Sequence, residues 1–180
     1  MPSPGGEGVS RRLTDEVFNH NVLEGERVMV INTRIFGEVT VDDEKLIHFP
    51  NGIVGFPELQ DFALIHDSEQ ENKGGIRWLQ SVQEPSFAMP VVTPLAVKED
   101  YNPVVEDELL KIIGECEEPL VLVTITVPSD LTKMSVNLKA PLIINADTQK
   151  AAQVILEEDY PVKFYVYDIL KNRKAEKAGE

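Results

Sequence analysis

A chain of 180 residues is long enough for one domain with a sizeable core. Its 42% apolar and 27% charged residues are ordinary for a globular protein, but 31 acidic against 17 basic side chains leave a net charge of −14. That balance argues against direct binding of nucleic acid, whose phosphates need lysine and arginine, and favours a basic partner drawn in by long-range attraction.

Residues 1–27 open on "MPSPGGEG", a Pro/Gly-rich start expected to be flexible, with a short helix conceivable over residues 13–23. From Val28 the hydrophobic period becomes two: Ile35, Gly37, Val39 and Val41 alternate with Arg34, Phe36, Glu38 and Thr40. Gly37 inside that run suggests a bulge or bend, and the acids at 42–44 a turn into a returning strand at 46–49. Further strands are expected at 62–66, 77–82, 88–93, 120–127, 134–138, 142–145 and 152–156. Residues 120–127 are apolar on both faces apart from threonines, which predicts a central position. One helix interrupts the pattern: Leu109, Ile112 and Ile113 share a face, Glu106, Asp107 and Glu108 fill the first turn, and Gly114 can end it. Many short strands with turn residues between them predict a mostly β protein, a small antiparallel barrel-like or sandwich-like domain with one or two short helices. The β domain is expected over 28–163, followed by a basic tail at 164–180 that is expected to fray.

Chemistry is harder to find. His20, His48 and His66 are scattered, and Cys116 sits among acids, surroundings that do not activate a thiol for nucleophilic attack. The run Glu157, Glu158, Asp159 lacks the spaced oxygens and glycine turn of a calcium loop, so a solvated turn is expected there. Walker, dinucleotide-binding and nucleophile-elbow motifs are absent from the sequence. The motifs thus point to no catalytic residues, metal or cofactor, while an enzyme whose site forms only on folding, from His48, His66 or Cys116, stays open at this point. A single cysteine excludes an intrachain disulfide, no apolar run approaches the roughly 20 residues that span a bilayer, and the first residues lack the apolar core of a secretory signal. A cytoplasmic protein with no membrane partner is expected.

The stretch "FPNGIVGFPEL", residues 49–59, carries a G-x-x-G spacing that can serve as a nucleic-acid backbone clamp. Without a lysine or arginine, and in a β rather than helix–loop–helix context, that reading fails. What remains is a turn in which Asn51-Gly52 supplies a positive φ, Gly55 permits close packing and Pro57 stiffens the exit. Ile53 and Phe56 then either close one end of a barrel or stand out as apolar anchors for a partner.

The segments "INTRIFGEVTVDDEKLIHFPNGIVGFPELQDFALI" (31–65), "WLQSVQEPSFAMPVVTP" (78–94), "VTITVPSDLTKMSVNLKAPLIIN" (123–145) and "QVILEEDYPV" (153–162) together resemble the flagellar assembly factor FliW family, in order and without large gaps. The N-terminal extension and the "KFYVYDILKNRKAEKAGE" tail have no counterpart in that resemblance. It implies a small β-barrel-like protein, not an enzyme, that binds flagellin and also the translational repressor CsrA. By antagonising CsrA away from its RNA surface, such a protein couples flagellin translation to flagellin export. The alternative is a dedicated flagellin chaperone with no role on CsrA. Residues 99–118 hold eight acids against the single base Lys111, so Glu99, Asp100, Glu106, Asp107 and Glu108 are the expected face toward a basic, RNA-binding repressor. Ile53 and Phe56 are the expected contribution to an apolar partner surface, entered either by an amphipathic helix or by sheet-edge pairing.

Overall fold

The computed structural model describes residues 19–23, 26–66 and 75–178. Three strands, β1 (Asn19–Leu23), β2 (Glu26–Thr33) and β3 (Gly37–Asp42), form an antiparallel sheet of their own. The chain then builds β4 (Ile47–His48), β5 (Asp61–His66), β6 (Arg77–Ser81) and β7 (Ala88–Val92). Helix α1 (Asp107–Ile113) follows, then β8 (Leu120–Thr126), β9 (Ser135–Val136), β10 (Leu142–Asn145), β11 (Lys150–Gln153), β12 (Phe164–Tyr165) and helix α2 (Tyr167–Ala178).

Strands run side by side as β10-β11-β4-β5-β6-β7-β8, and β8 pairs back onto β10 with Leu122 opposite Leu142, which closes a barrel. The expected fold class is therefore the observed one. Only the β4–β11 pairing is parallel among these strands. Strand β8 shows why residues 120–127 are apolar on both faces. Its first half pairs with β10 and its second half with β9, while β7 lies along its other edge. Leu120 and Leu122 point into the barrel with Phe62, Leu79, Val91, Leu142 and Ile144. Val123 and Ile125 point outward into a second core with Val92, Val97, Tyr101, Val136, Leu138 and Val166.

Tyr101 anchors that second core by donating its hydroxyl to the Leu138 carbonyl at 2.8 Å. Burial pushes its pKa up, with further contributions from Tyr160 and Glu158, so the hydroxyl keeps the proton that this bond needs. The small sheet packs Met29 and Ile31 onto Ala63 and Val82 from outside the barrel. Helix α1 lays Leu109 and Ile113 over Ile143 and Ala152, where the small side chain on β11 lets the helix approach closely.

Three expectations need correction. The strand anticipated at 34–41 is not one half of a hairpin with 46–49. The chain reverses earlier, at residues 34–36, so that β2 pairs with β3 from Val28↔Asp42 to Thr33↔Gly37. A 3-10 turn at Asp43–Lys45 then carries the chain to the barrel, where β4 pairs with β5 and β11. Of the helix anticipated at 13–23, residues 19–23 form a strand paired with β2, and 13–18 lie outside the described residues. The tail is not featureless: α2 begins directly after β12, and its Ile169 and Leu170 pack against the second core.

Candidate functional site

The loop at residues 49–59 closes one end of the barrel. Phe49 is buried and its N–H donates to the Gln60 carbonyl, fixing the two ends of the loop together. Gly52 takes φ +66, and a Cβ there would stand 2.5 Å from the Pro57 Cα and carbonyl oxygen. Close approach is therefore the role of Gly52. At Gly55 (φ +90) a Cβ would meet nothing within 4 Å, so this glycine serves the backbone angle instead. That reverses the packing role expected of it. Ile53 and Phe56 bond to each other through both backbone pairs across Val54-Gly55, and with the positive φ at the third position this is a type II turn.

The turn separates the two apolar residues singled out by the sequence. Ile53 is 4% exposed and sits in the barrel core beside Leu59 and Phe62, whereas Phe56 is 41% exposed. Phe56 tilts onto Phe87 at 4.8 Å, Phe87 meets Phe62 at 6.4 Å, and Phe62 meets Phe49 at 5.3 Å. A line of aromatic rings thus runs from the core to a half-exposed surface position.

Gln153 fastens the tip of the loop to the barrel wall. Its Oε1 accepts from Val54 N–H at 2.8 Å, and its Nε2 donates to the Ala140 carbonyl at 3.2 Å. Next to it, Val154 N–H and Leu156 N–H donate to the Pro141 and Lys139 carbonyls, which turns the intervening Ile155 outward at 63% exposure.

Around this fastening lie three adjoining depressions, all of which include Ile155. One of about 590 Å³ lies between the loop and α1 and includes Ile53, Val54, Glu106, Glu108, Leu109 and Gln153. A second of about 360 Å³ opens on the other side of the loop tip, among Val54, Phe56, Met89, Lys139 and Val162. The third, also about 360 Å³, runs from Val104 and Glu106 to Glu157 and Glu158. Val54, Phe56, Val104, Ile155 and Val162 are all exposed apolar side chains, so the result is one apolar groove. Among the described residues its acids are Glu106 and Glu108 at α1 and Glu157 and Glu158 after β11, and its one lysine, Lys139, is held by the Glu157 and Glu158 carbonyls.

Of the acids expected at a partner face, Glu106 and Glu108 join Ile53 and Phe56 along this groove. Asp107 is exposed in the first turn of α1 but does not line it. Glu99 and Asp100 lie elsewhere, beside Tyr101. Lys98 forms a 2.9 Å ion pair with Asp100 and holds its carboxyl below the usual range, first through that hydrogen bond and then through charge. Sequence reasoning missed Val54, Gln153, Ile155 and Val162. A signal for Ile155 was present: in extended chain, three apolar residues in succession cannot all face one core.

Of the residues weighed for chemistry, His48 and Cys116 lie apart, and the side chains of His20 and His66 are outside the described ones. The His48 Nδ1–H donates to Asp61 Oδ1 at 2.8 Å across β4 and β5. Cys116 lines a depression with Glu115, Glu117, Glu118 and Asp147, and no histidine is among its walls. Among the described residues, no group of three or more histidine, cysteine or acidic side chains is arranged to hold a metal ion. No helix among them is long and apolar enough to cross a membrane.

Comparison with known proteins agrees with the barrel and with the segments that carry the sequence resemblance. A family model described as FliW protein matches residues 30–166. The flagellar assembly factor FliW of Lachnoclostridium phytofermentans is 45% identical over 155 residues, covering 84% of this chain and 99% of that protein. The factor of the same name from Leptospira interrogans is 37% identical over 142 residues, covering 77% and 93%. A crystal structure of the flagellar assembly factor FliW superimposes with a TM-score of 0.70 at 26% identity, over 76% of this chain and 96% of that one. The family match ends at Val166, so α2 lies beyond it. With more than half of its length matched in sequence and in fold, the chain belongs to the FliW family of flagellar assembly factors.

Proposed function

We propose that this chain works in the cytoplasm as a partner switch in flagellar assembly. It binds flagellin, and when free of flagellin it binds and antagonises the RNA-binding repressor CsrA at a distance from the RNA surface. The observation that supports this reading best is the apolar groove bordered by Glu106, Glu108, Glu157 and Glu158. A repressor that holds RNA presents basic surface, and a net charge of −14 attracts such a protein while repelling RNA itself. Glu99, Asp100 and Asp107 contribute to the long-range field. Phe56, Glu106 and Glu108 belong to the contact surface, and Ile53, buried in the barrel core, supports the loop from beneath.

The test combines the chain with CsrA and labelled flagellin-leader RNA, followed by flagellin. RNA is expected to be released by this protein and recaptured by the repressor when flagellin is added. Flagellin binding with no RNA release at any ratio would leave only the chaperone role, without regulation of CsrA.

Phe56→Ser probes the contact surface directly. Because the ring is 41% exposed and rests mainly on Phe87, its loss is expected to cost only about 1–2 kcal/mol of stability. Partner affinity should fall by roughly tenfold or more, as at a central aromatic anchor. A melting curve collapsed to the same degree as binding would assign Phe56 to the core instead.

A further inference from the structure

We infer that the groove takes an extended segment of a partner protein, added as a strand to a free edge at Gln153 and Ile155. The segment carries apolar residues alternating with lysine or arginine. The inference rests on the partner-binding reading above and names the chemistry of what binds. Two observations lead to it.

The first is the state of the backbone at the end of β11. In an antiparallel pair, successive residues aim their N–H and C=O groups alternately toward and away from the neighbouring strand. Ala152 stands opposite Ile143, and after it Val154 and Leu156 donate to the Pro141 and Lys139 carbonyls. Gln153 and Ile155 therefore aim theirs the other way, toward the groove. Strand β4 takes up that side only at Lys150↔His48, and the chain then leaves through Phe49 into the loop. The loop tip returns to β11 through a side chain, Gln153 Oε1 accepting from Val54 N–H. Among the described residues, the backbone N–H and C=O groups of Gln153 and Ile155 have no partner. Such an edge is what an extended peptide pairs with.

The second is the difference between the two faces of this edge. Ala152 and Val154 pack with α1 on the outer face, where the depression of about 590 Å³ holds Glu106, Glu108 and Ile112. The depression of about 360 Å³ at the barrel mouth shares Val54, Gln153 and Ile155 with it but holds Phe56, Met89 and Val162. Its lysine, Lys139, is engaged by two carbonyls. Side chains of an added strand point alternately to the two faces. Every second residue thus meets the acids of α1, and the others meet an apolar mouth, which cations and apolar groups in alternation complement. A second copy of this chain, itself at −14, is a poor occupant on the same ground.

The experiment uses the full chain and labelled peptides of about eight residues, too short to hold a helix in water. One alternates leucine with lysine, one has the same composition with all leucines ahead of the lysines, and one alternates leucine with glutamate. Fluorescence anisotropy is expected to show the alternating leucine–lysine peptide binding about tenfold or more tighter than either of the others. In a paired strand, the residues of one kind aim their N–H groups at the edge and those of the other kind aim theirs away. N-methylation of the lysines or of the leucines should therefore cost about tenfold or more for one set and much less for the other. On the protein, Ile155→Pro deletes an edge donor that has no partner in the free chain. It should keep the melting transition and bind the peptide about tenfold more weakly than Ile155→Ala, which retains the N–H. Equal loss from both methylated sets points to a helical occupant and overturns the inference. Equal binding of the block or glutamate peptide overturns it, as do equal affinities of Ile155→Pro and Ile155→Ala. Dimers of the parent chain that the peptide dissociates would make a second copy the occupant and overturn it too. The RNA-release assay run on the same proteins separates the two levels. Release undiminished in an Ile155→Pro variant that no longer holds the peptide overturns the edge as a partner site and keeps the switch. Edge-dependent peptide binding by a parent chain that never releases RNA keeps the edge and sinks the switch.

Discussion

A Gly52→Ala variant is expected to lose about 3–5 kcal/mol of stability, through strain at a left-handed backbone position and lost packing at the barrel end. For a chain of this size that corresponds to a fall in Tm of roughly 10 °C. Gly52 stands at φ +66, and the methyl group would meet Pro57 backbone atoms at 2.5–2.6 Å, closer than packed atoms approach. No side-chain rotation can relieve the contact, because the opposing atoms are backbone. The loop must move, and with it Ile53, which is buried among Phe49, Leu59 and Phe62. Gly55→Ala is the matched comparison. Its φ of +90 strains an alanine, but the added methyl meets open space, so a cost of only about 1–2 kcal/mol is expected. Thermal melting of the two variants side by side decides the matter: equal losses would mean that backbone angle alone, and not the approach of Pro57, sets the role of Gly52.

The same loop shows what a single sequence reveals and what it hides. Its glycines and prolines marked a turn, and the absence of cations removed the nucleic-acid reading. The different directions of Ile53 and Phe56 could not be read, because the type II turn between them depends on φ at Gly55 rather than on a hydrophobic period. Strand β8 was legible because apolar residues on both faces require neighbours on both sides. The reversal at residues 34–36 was not. There Thr33 Oγ1 donates to the Gly37 carbonyl and accepts from Phe36 N–H, so a side chain builds the turn without the usual run of turn residues. Resemblance to a known family supplied the overall fold, but the groove stayed hidden. Its two walls meet through Val54 and Gln153, which are 99 positions apart, and no local pattern records that contact.

Asn145→Asp is the second variant with a large expected effect, because one amide holds both the end of α1 and the β10–β11 connection. Asn145 is fully buried. Its Nδ2 donates to the Ile113 carbonyl at 3.0 Å and lies 3.3 Å from the Gly114 and Glu115 carbonyls, while its Oδ1 accepts from the Asp147 and Thr148 N–H groups. Thr148 Oγ1 adds a second donor to the Ile113 carbonyl at 2.6 Å, and Gly114 turns the chain out of the helix at φ +87. Aspartate keeps the shape and the accepting oxygen but replaces the donor with a carboxylate oxygen facing three carbonyls. Lost hydrogen bonds and a buried unpaired charge together are expected to cost about 3–5 kcal/mol at neutral pH. The sign of the pH dependence follows from the same geometry. Burial and facing carbonyl dipoles raise the new carboxyl's pKa in the folded state above its unfolded value of about 4, so the native state holds the proton more tightly. The variant should therefore recover part of its loss as the pH falls below neutral, and the recovered stability should disappear as the pH rises through the folded-state pKa. Since α1 forms one wall of the groove, partner affinity should track the same pH change in the variant and not in the parent. Urea unfolding of both proteins at pH 7 and pH 5 measures it, and a constant difference between them at the two values would show that the carboxylate had found solvent instead of the end of α1.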